Sequence, residues 1–143
     1  MMTHVSGIYE LIDHTADIGV RVQGQTMPEL FEHAALALFD VMVDISSVQP
    51  VMQRTFTCRR DSCEELLVEW LGSLLYVFDT ERVLFSRFSV EMIEPTMLVA
   101  LADGEFYDAA RHELKTLIKA VTYHNLCVRQ LADGYEASLI FDV

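Results

Sequence analysis

Two segments of the chain carry residue types that can do chemistry together. Asp13-His14-Thr15-Ala16-Asp17 interrupts two apolar stretches near the start, and the sequence closes on Ile140-Phe141-Asp142-Val143. The first segment supplies two carboxylates, an imidazole and a hydroxyl; the second sets a carboxylate beside the terminal carboxylate. An apolar run that stops abruptly on acids reads as an end docked in the fold. Buried acids without a partner are costly, so such an end calls for a positive group or a metal ion. If the Asp17 segment and the closing residues meet in space, they form an oxygen-rich cation site, the donor set that Ca²⁺ and Mg²⁺ prefer. Two carboxylates do not complete such a site, so carbonyl oxygens and water must fill the rest. Asp13 reads as a turn cap in preference to a ligand. His14 is open to three readings: a ligand, an acid–base group, or a core histidine bonded to the main chain.

Other candidates are weaker on their own. His112 and His124 carry the same ambiguity as His14, and His124 falls where a strand is expected to end. Lys119 is a cation that either neutralises the acids, meets a phosphate or a partner, or is simply a solvated strand lysine. Cys58, Cys63 and Cys127 are an odd set without a second pair, which argues against a structural zinc site and for reduced thiols in a cytoplasmic protein. There is no Ser-His-Asp order and no glycine-rich phosphate loop; Gly19 and Gly24 are strand and turn glycines. With 22 acidic and 10 basic residues the formal net charge is −12. That excludes an autonomous nucleic-acid binder, which needs clustered Lys and Arg, and favours a basic protein partner, a cation, or plain solubility.

The elements that must position these residues follow from periodicity. A chain of 143 residues, 52% hydrophobic and 22% charged, suits one domain over residues 1–143 with one core. Its apolar runs are too short to span a bilayer, and its first residues do not read as a signal peptide. Residues 8–12 and 18–22 read as strands, with a turn at Gly24. Thr26 opens a helix with Glu29 completing a capping box and Pro28 tolerated in the first turn. Leu30, Ala34, Leu38 and Met42 form its stripe, widened by Phe31, Ala35 and Phe39, and it ends near Val43-Asp44. Residues 51–58 read as a strand. Asp61 and Glu64 signal a second helix, whose apolar face carries Leu67, Leu71 and Leu75 with Trp70, Leu74 and Phe78. Trp70 and Tyr76 read as core packing, not a cofactor platform. A polar turn is expected over 79–82, a hairpin from 87–93 and 97–102 around Glu94-Pro95-Thr96, and a further turn at Asp103-Gly104. Residues 108–117 show no clear pattern. Residues 118–128 and 135–141 read as strands, the second entered through the hairpin signal Asp133-Gly134. Two helices against mostly antiparallel strands give an α+β layer architecture.

Four of these stretches together resemble one family. Tyr9-Glu10-Leu11-Ile12-Asp13-His14-Thr15-Ala16-Asp17-Ile18-Gly19 is similar to the N-terminal signature of archease, and Leu30-Phe31-Glu32-His33-Ala34-Ala35-Leu36-Ala37-Leu38-Phe39 to its first helix. Leu117-Ile118-Lys119-Ala120-Val121-Thr122-Tyr123-His124 resembles its late strand motif, and Ile140-Phe141-Asp142-Val143 its C-terminus. The four lie in register, while residues 51–105 match only in pattern. Asn125 stands where many relatives carry an acid. The resemblance implies a protein cofactor, not an enzyme. Archease activates the RtcB-type RNA ligase of tRNA splicing and RNA repair, promoting guanylylation of the ligase and hence its multiple turnover, and it can broaden nucleotide use. It also implies a divalent metal site, often assigned to calcium but open to Mg²⁺ or Mn²⁺. Its ligands here would be Asp17, Asp142 and Val143, the last through a main-chain or terminal oxygen. His14, His112, Lys119 and His124 are candidates to line the site or touch the partner.

Two rival readings come from other classes. One is a small metal-dependent phosphohydrolase using Asp17, Asp142 and His14, weakened by a sparse ligand set and no evident base. The other is a general chaperone or scaffold working through its acidic surface. Turnover of a nucleotide by the isolated protein, against activity only beside an RNA ligase, separates them.

Overall fold

The computed structural model describes residues 7–12 and 17–143. Among them are seven strands and two α-helices: β1 (Tyr9–Ile12), β2 (Ile18–Gly24), α1 (Met27–Met42), β3 (Met52–Arg59), α2 (Cys63–Glu81), β4 (Val83–Glu94), β5 (Met97–Phe106), β6 (Ala120–Leu131) and β7 (Gly134–Asp142). A short 3₁₀ turn, Ile45–Ser47, follows α1. The strands form two antiparallel sheets, ordered β1-β2-β7-β6 and β3-β5-β4. The α+β expectation therefore holds, with every pairing antiparallel.

The helices join the two sheets. α1 packs on β2 and β7 of the first sheet and on β4 of the second, while α2 packs on β6 and β3. Leu30, Phe31, Ala34, Ala35, Leu38, Phe39 and Met42 are all buried, as the helical stripe requires. Thr26 caps α1 by accepting from Glu29 N, and the Glu29 carboxylate accepts from Gln25 N at 2.9 Å, so the return bond closes on the residue before the cap instead of on the Thr26 N–H. Aromatic rings fill the space between the helices and the three-stranded sheet. Phe39 meets Phe85 edge-on at 5.8 Å and stacks on Phe88 at 5.9 Å. Trp70 is fully buried and donates from Nε1 to Phe31 O at 3.0 Å, so the apolar ring packs without orphaning its polar atom.

Several boundaries differ from the sequence reading, each for a physical reason. α2 is capped by Ser62, whose hydroxyl accepts from Glu65 N, one residue later than the Asp61/Glu64 expectation. The residues expected to turn at 79–82 continue the helix to Glu81, and Arg82 ends it in the left-handed region at φ 59°. Asp103-Gly104 is no turn. Gly104 lies inside β5, paired with Met52 on one side and Phe85 on the other. A Cβ there would sit 1.8 Å from Leu84 O, so glycine marks a close backbone approach. Both strands of the 87–93/97–102 hairpin run longer than periodicity suggested. Tyr76 is 67% exposed and does not join the core. The unpatterned residues 108–117 run along the end of α1, where Lys115 N donates to Met42 O at 2.7 Å and Leu114 bridges Val43. No helix among the described residues is long and apolar enough to cross a membrane.

The acidic end of the four-stranded sheet

Antiparallel register decides where the candidate ligands fall. β2 pairs with β7 from Ile18↔Phe141 to Gly24↔Tyr135. Asp17 is the residue before Ile18, and Asp142 the residue after Phe141. Their positions therefore face each other across neighbouring strands, where directly opposed residues are close enough for side chains to interact. β6 begins beside them: Ala120 pairs with Asp142, and Lys119 N donates to Asp142 O at 2.7 Å. One end of this sheet thus gathers Asp17, Lys119, Asp142 and Val143. Asp17, Asp142 and Val143 are each half-buried, and Val143 packs against the core. Lys119 is exposed. Val20, Val22, Leu139 and Phe141 are buried beneath, which holds the two strands in register; slipping by one residue would turn this set to solvent.

The donor set at this end is all oxygen: two carboxylates and the main-chain oxygens of the strand that closes the chain. That suits a hard divalent cation and not a thiolate or imidazole metal. No group of three or more His, Cys, Asp or Glu side chains stands together as a metal site among the described residues. Asp17 and Asp142 would therefore need carbonyl oxygen and water to complete a shell. Asp13 and His14 lie outside the described residues.

The other sequence candidates sit elsewhere. His112 does not line the acidic end as an open side chain. Its imidazole is fully buried with both nitrogens committed: Nδ1 accepts from Asp108 N at 2.9 Å, so Nε2 carries the proton and donates to Glu105 Oε2 at 2.8 Å. Glu105 also accepts from Gln49 N and from Nη1 and Nη2 of Arg111, at 2.8, 3.1 and 2.6 Å. Arg111 foremost, then the Gln49 amide and His112, outweigh burial and hold this carboxyl at a pKa of about 2. The cluster ties the 108–112 segment to β5 and is a fastening. Sequence reasoning missed it because Glu105 follows a supposed turn at Gly104.

His124 is exposed on β6, four residues beyond Ala120, and its N–H donates to Thr122 Oγ1 at 3.2 Å. It falls in a large irregularity. Thr122 pairs with Ile140 and Cys127 with Ser138, so Tyr123, His124, Asn125 and Leu126 stand opposite Leu139 alone. Asn125 adopts φ 54°, a left-handed conformation that asparagine tolerates better than most residues. His124 therefore does not end a strand; it helps to bend one.

Comparison with known proteins agrees with this architecture. The profile of the "Archease protein family (MTH1598/TM1083)" matches residues 9–143. The chain is 40% identical over 139 residues to Protein archease of Methanosarcina mazei, covering 94% of this chain and 95% of that protein. It is 43% identical over 130 residues to Protein archease of Thermococcus gammatolerans, covering 88% and 91%. The solution structure of Methanobacterium thermoautotrophicum Protein 1598 superposes with a TM-score of 0.83 at 36% identity, covering 94% of this chain and 98% of that one. The crystal structure of a Thermotoga maritima archease, described as a possible chaperone, shares the fold with a TM-score of 0.65 at 20% identity, covering 92% and 94%. A profile match across nearly the whole length, joined to relatives of this identity and coverage, establishes that the chain belongs to the archease family.

Proposed function

We propose that this protein is a non-catalytic activator of an RtcB-type RNA ligase, promoting guanylylation of the ligase and its multiple turnover in tRNA splicing and RNA repair. The observation that carries the reading is the β2–β7 register, which sets Asp17 beside Asp142 and Val143 at one sheet end in a member of the archease family. Asp17 and Asp142 would hold a divalent cation, Ca²⁺ or else Mg²⁺ or Mn²⁺, with a main-chain oxygen of Val143. When bound, such an ion supplies charge neutralisation and a Lewis-acidic centre for phosphate oxygens. Lys119 is fastened through its main chain to Asp142 and is exposed, so its ammonium is free to offer a charge-assisted hydrogen bond to a phosphate or to an acid of the partner. The net charge of −12 favours docking on a basic protein surface and disfavours RNA, so the RNA stays with the ligase. A cytoplasmic location accompanies this reading, since Cys58, Cys63 and Cys127 are free thiols.

The test is a ligation assay with the ligase, GTP and metal, counting RNA joined per ligase molecule. Substoichiometric amounts of this protein are expected to convert single turnover into multiple turnover. An unchanged count defeats the activator reading. Hydrolysis of a nucleotide by the protein alone would instead support a phosphohydrolase, and protection of unrelated unfolded proteins a chaperone.

A further inference from the structure

The three-stranded sheet has two unlike faces, because alternate residues of a strand point to opposite sides. On β5, Leu98, Ala100 and Ala102 are buried and belong to the core. The helices cover that side through the rings of Phe39 and Trp70, which meet Phe56 and Phe88. Met97, Val99 and Leu101 point to the other side, where they are half-buried and neither join the core nor pack against it. Met92 of β4, paired with Val99, behaves in the same way. Across the ladder this apolar stripe is flanked by Thr55, Thr57 and Ser89, all exposed. No element among the described residues covers it, and an open apolar patch of this kind marks a contact surface.

The charges of this face sit at the two ends of the stripe. Arg59, Met97 and Glu94 lie side by side in one row, and Gln53, Asp103 and Arg87 in another. Two arginines, an aspartate and a glutamate cancel, on a chain whose net charge is −12. Arg59, Arg87 and Glu94 make no ion pair among the described residues. Asp103 is drawn toward β3 by Gln53, whose Nε2 donates to its Oδ1 at 2.9 Å.

A basic partner gains nothing from a neutral face, and a nucleic acid finds no cluster of cations there. A second copy of the chain fits it. Aligned sheets pack face to face about 10 Å apart, with strand directions within about 30° of each other. A two-fold axis along β5 between two such faces sets Met97, Val99 and Leu101 against the same residues of the other copy, because a two-fold contact is self-complementary. The same axis lays β3 of one copy over β4 of the other. Arg59 then faces Glu94 of the second copy, and Asp103, turned toward β3, faces its Arg87. Opposite charges thus meet at both ends of an apolar centre. We propose that this face joins two copies of the chain in a two-fold dimer. It offers four rows of three residues, about half of the 20–30 residues of a standard interface, so the dimer is weak and reversible. The face belongs to the β3-β5-β4 sheet, whereas Asp17 and Asp142 flank the β2–β7 pairing of the other, so the inference stands apart from the ligase reading.

The test is sedimentation equilibrium of the full chain from about 10 μM to about 1 mM. A reversible monomer–dimer equilibrium with a Kd of about 0.1 mM is expected, the weak end for a contact of this size. Val99→Lys sets two like charges together on the axis and should raise Kd about tenfold or more, with the melting temperature held because the side chain points outward. Arg59→Glu and Glu94→Arg should each raise Kd by opposing like charges, and the double variant should restore the wild-type value. That rescue decides the matter if Val99→Lys disturbs folding. A chain that stays monomeric at about 1 mM, a dimer that Val99→Lys leaves intact, or a double variant no tighter than either single one would overturn the proposal.

Discussion

Asp17 and Asp142 are separated by most of the chain and brought together by one strand pairing. Replacing either removes half of the charge available to a divalent ion. Asp17→Ala and Asp142→Ala are each expected to weaken Ca²⁺ or Mg²⁺ binding by about tenfold or more while the fold is retained; calorimetry that finds the wild-type affinity in either variant removes that residue from the site. Lys119 separates main-chain from side-chain roles. Its N–H holds Asp142 O, a bond that substitution leaves in place, and its ammonium is exposed. Lys119→Ala should leave thermal stability within about 0.5 kcal/mol, the usual range for a surface change, yet reduce ligase stimulation. Full stimulation by this variant would return Lys119 to the role of a solvated strand residue.

Elements differ in how far their determinants are local. Both helices were legible because caps and stripes are written within a few residues: Thr26 with Glu29, and Leu30 with Ala34, Leu38 and Met42. The β6–β7 hairpin was legible for the same reason, from Asp133-Gly134. Gly104 misled because its cause is Leu84 on another strand, and no window along the chain contains that contact. The 108–117 segment was illegible because it is held by partners distant in sequence: Met42 and Glu105. Of the acidic end, Asp17 and Asp142 stand out in the sequence as candidates, whereas the register that opposes their positions does not, since pairing is settled by the buried faces of both strands. Tyr76 reads as core because its neighbours in sequence are apolar, yet its own position on α2 is 67% exposed. The Glu105 fastening carries a pH signature. Its carboxyl titrates near 2 instead of 4.5, so the folded state binds fewer protons than the unfolded one between those values. Its stabilisation is fully present above about 4.5 and is lost as pH falls toward 2. Glu105→Gln should flatten the fall in urea midpoint across that window. A variant whose acid profile follows the wild type would mean that other carboxylates, such as Glu136, dominate.

At the scale of the whole molecule, a chain with 22 acidic and 10 basic residues is poorly suited to hold a nucleic acid by itself. Its fold buries one aromatic core between the helices and the three-stranded sheet and carries Asp17 and Asp142 at one end of the four-stranded sheet. On the proposed activator reading, the guanylylation step of the ligase is the event that this end would serve. The most direct measurement is therefore the rate of guanylate incorporation into a purified RtcB-type ligase from labelled GTP, with the wild-type protein and with Asp17→Ala. The expected result is a marked acceleration by catalytic amounts of wild type and little or none by Asp17→Ala folded to the same stability. Equal incorporation with wild type, with Asp17→Ala and with no added protein would contradict the account.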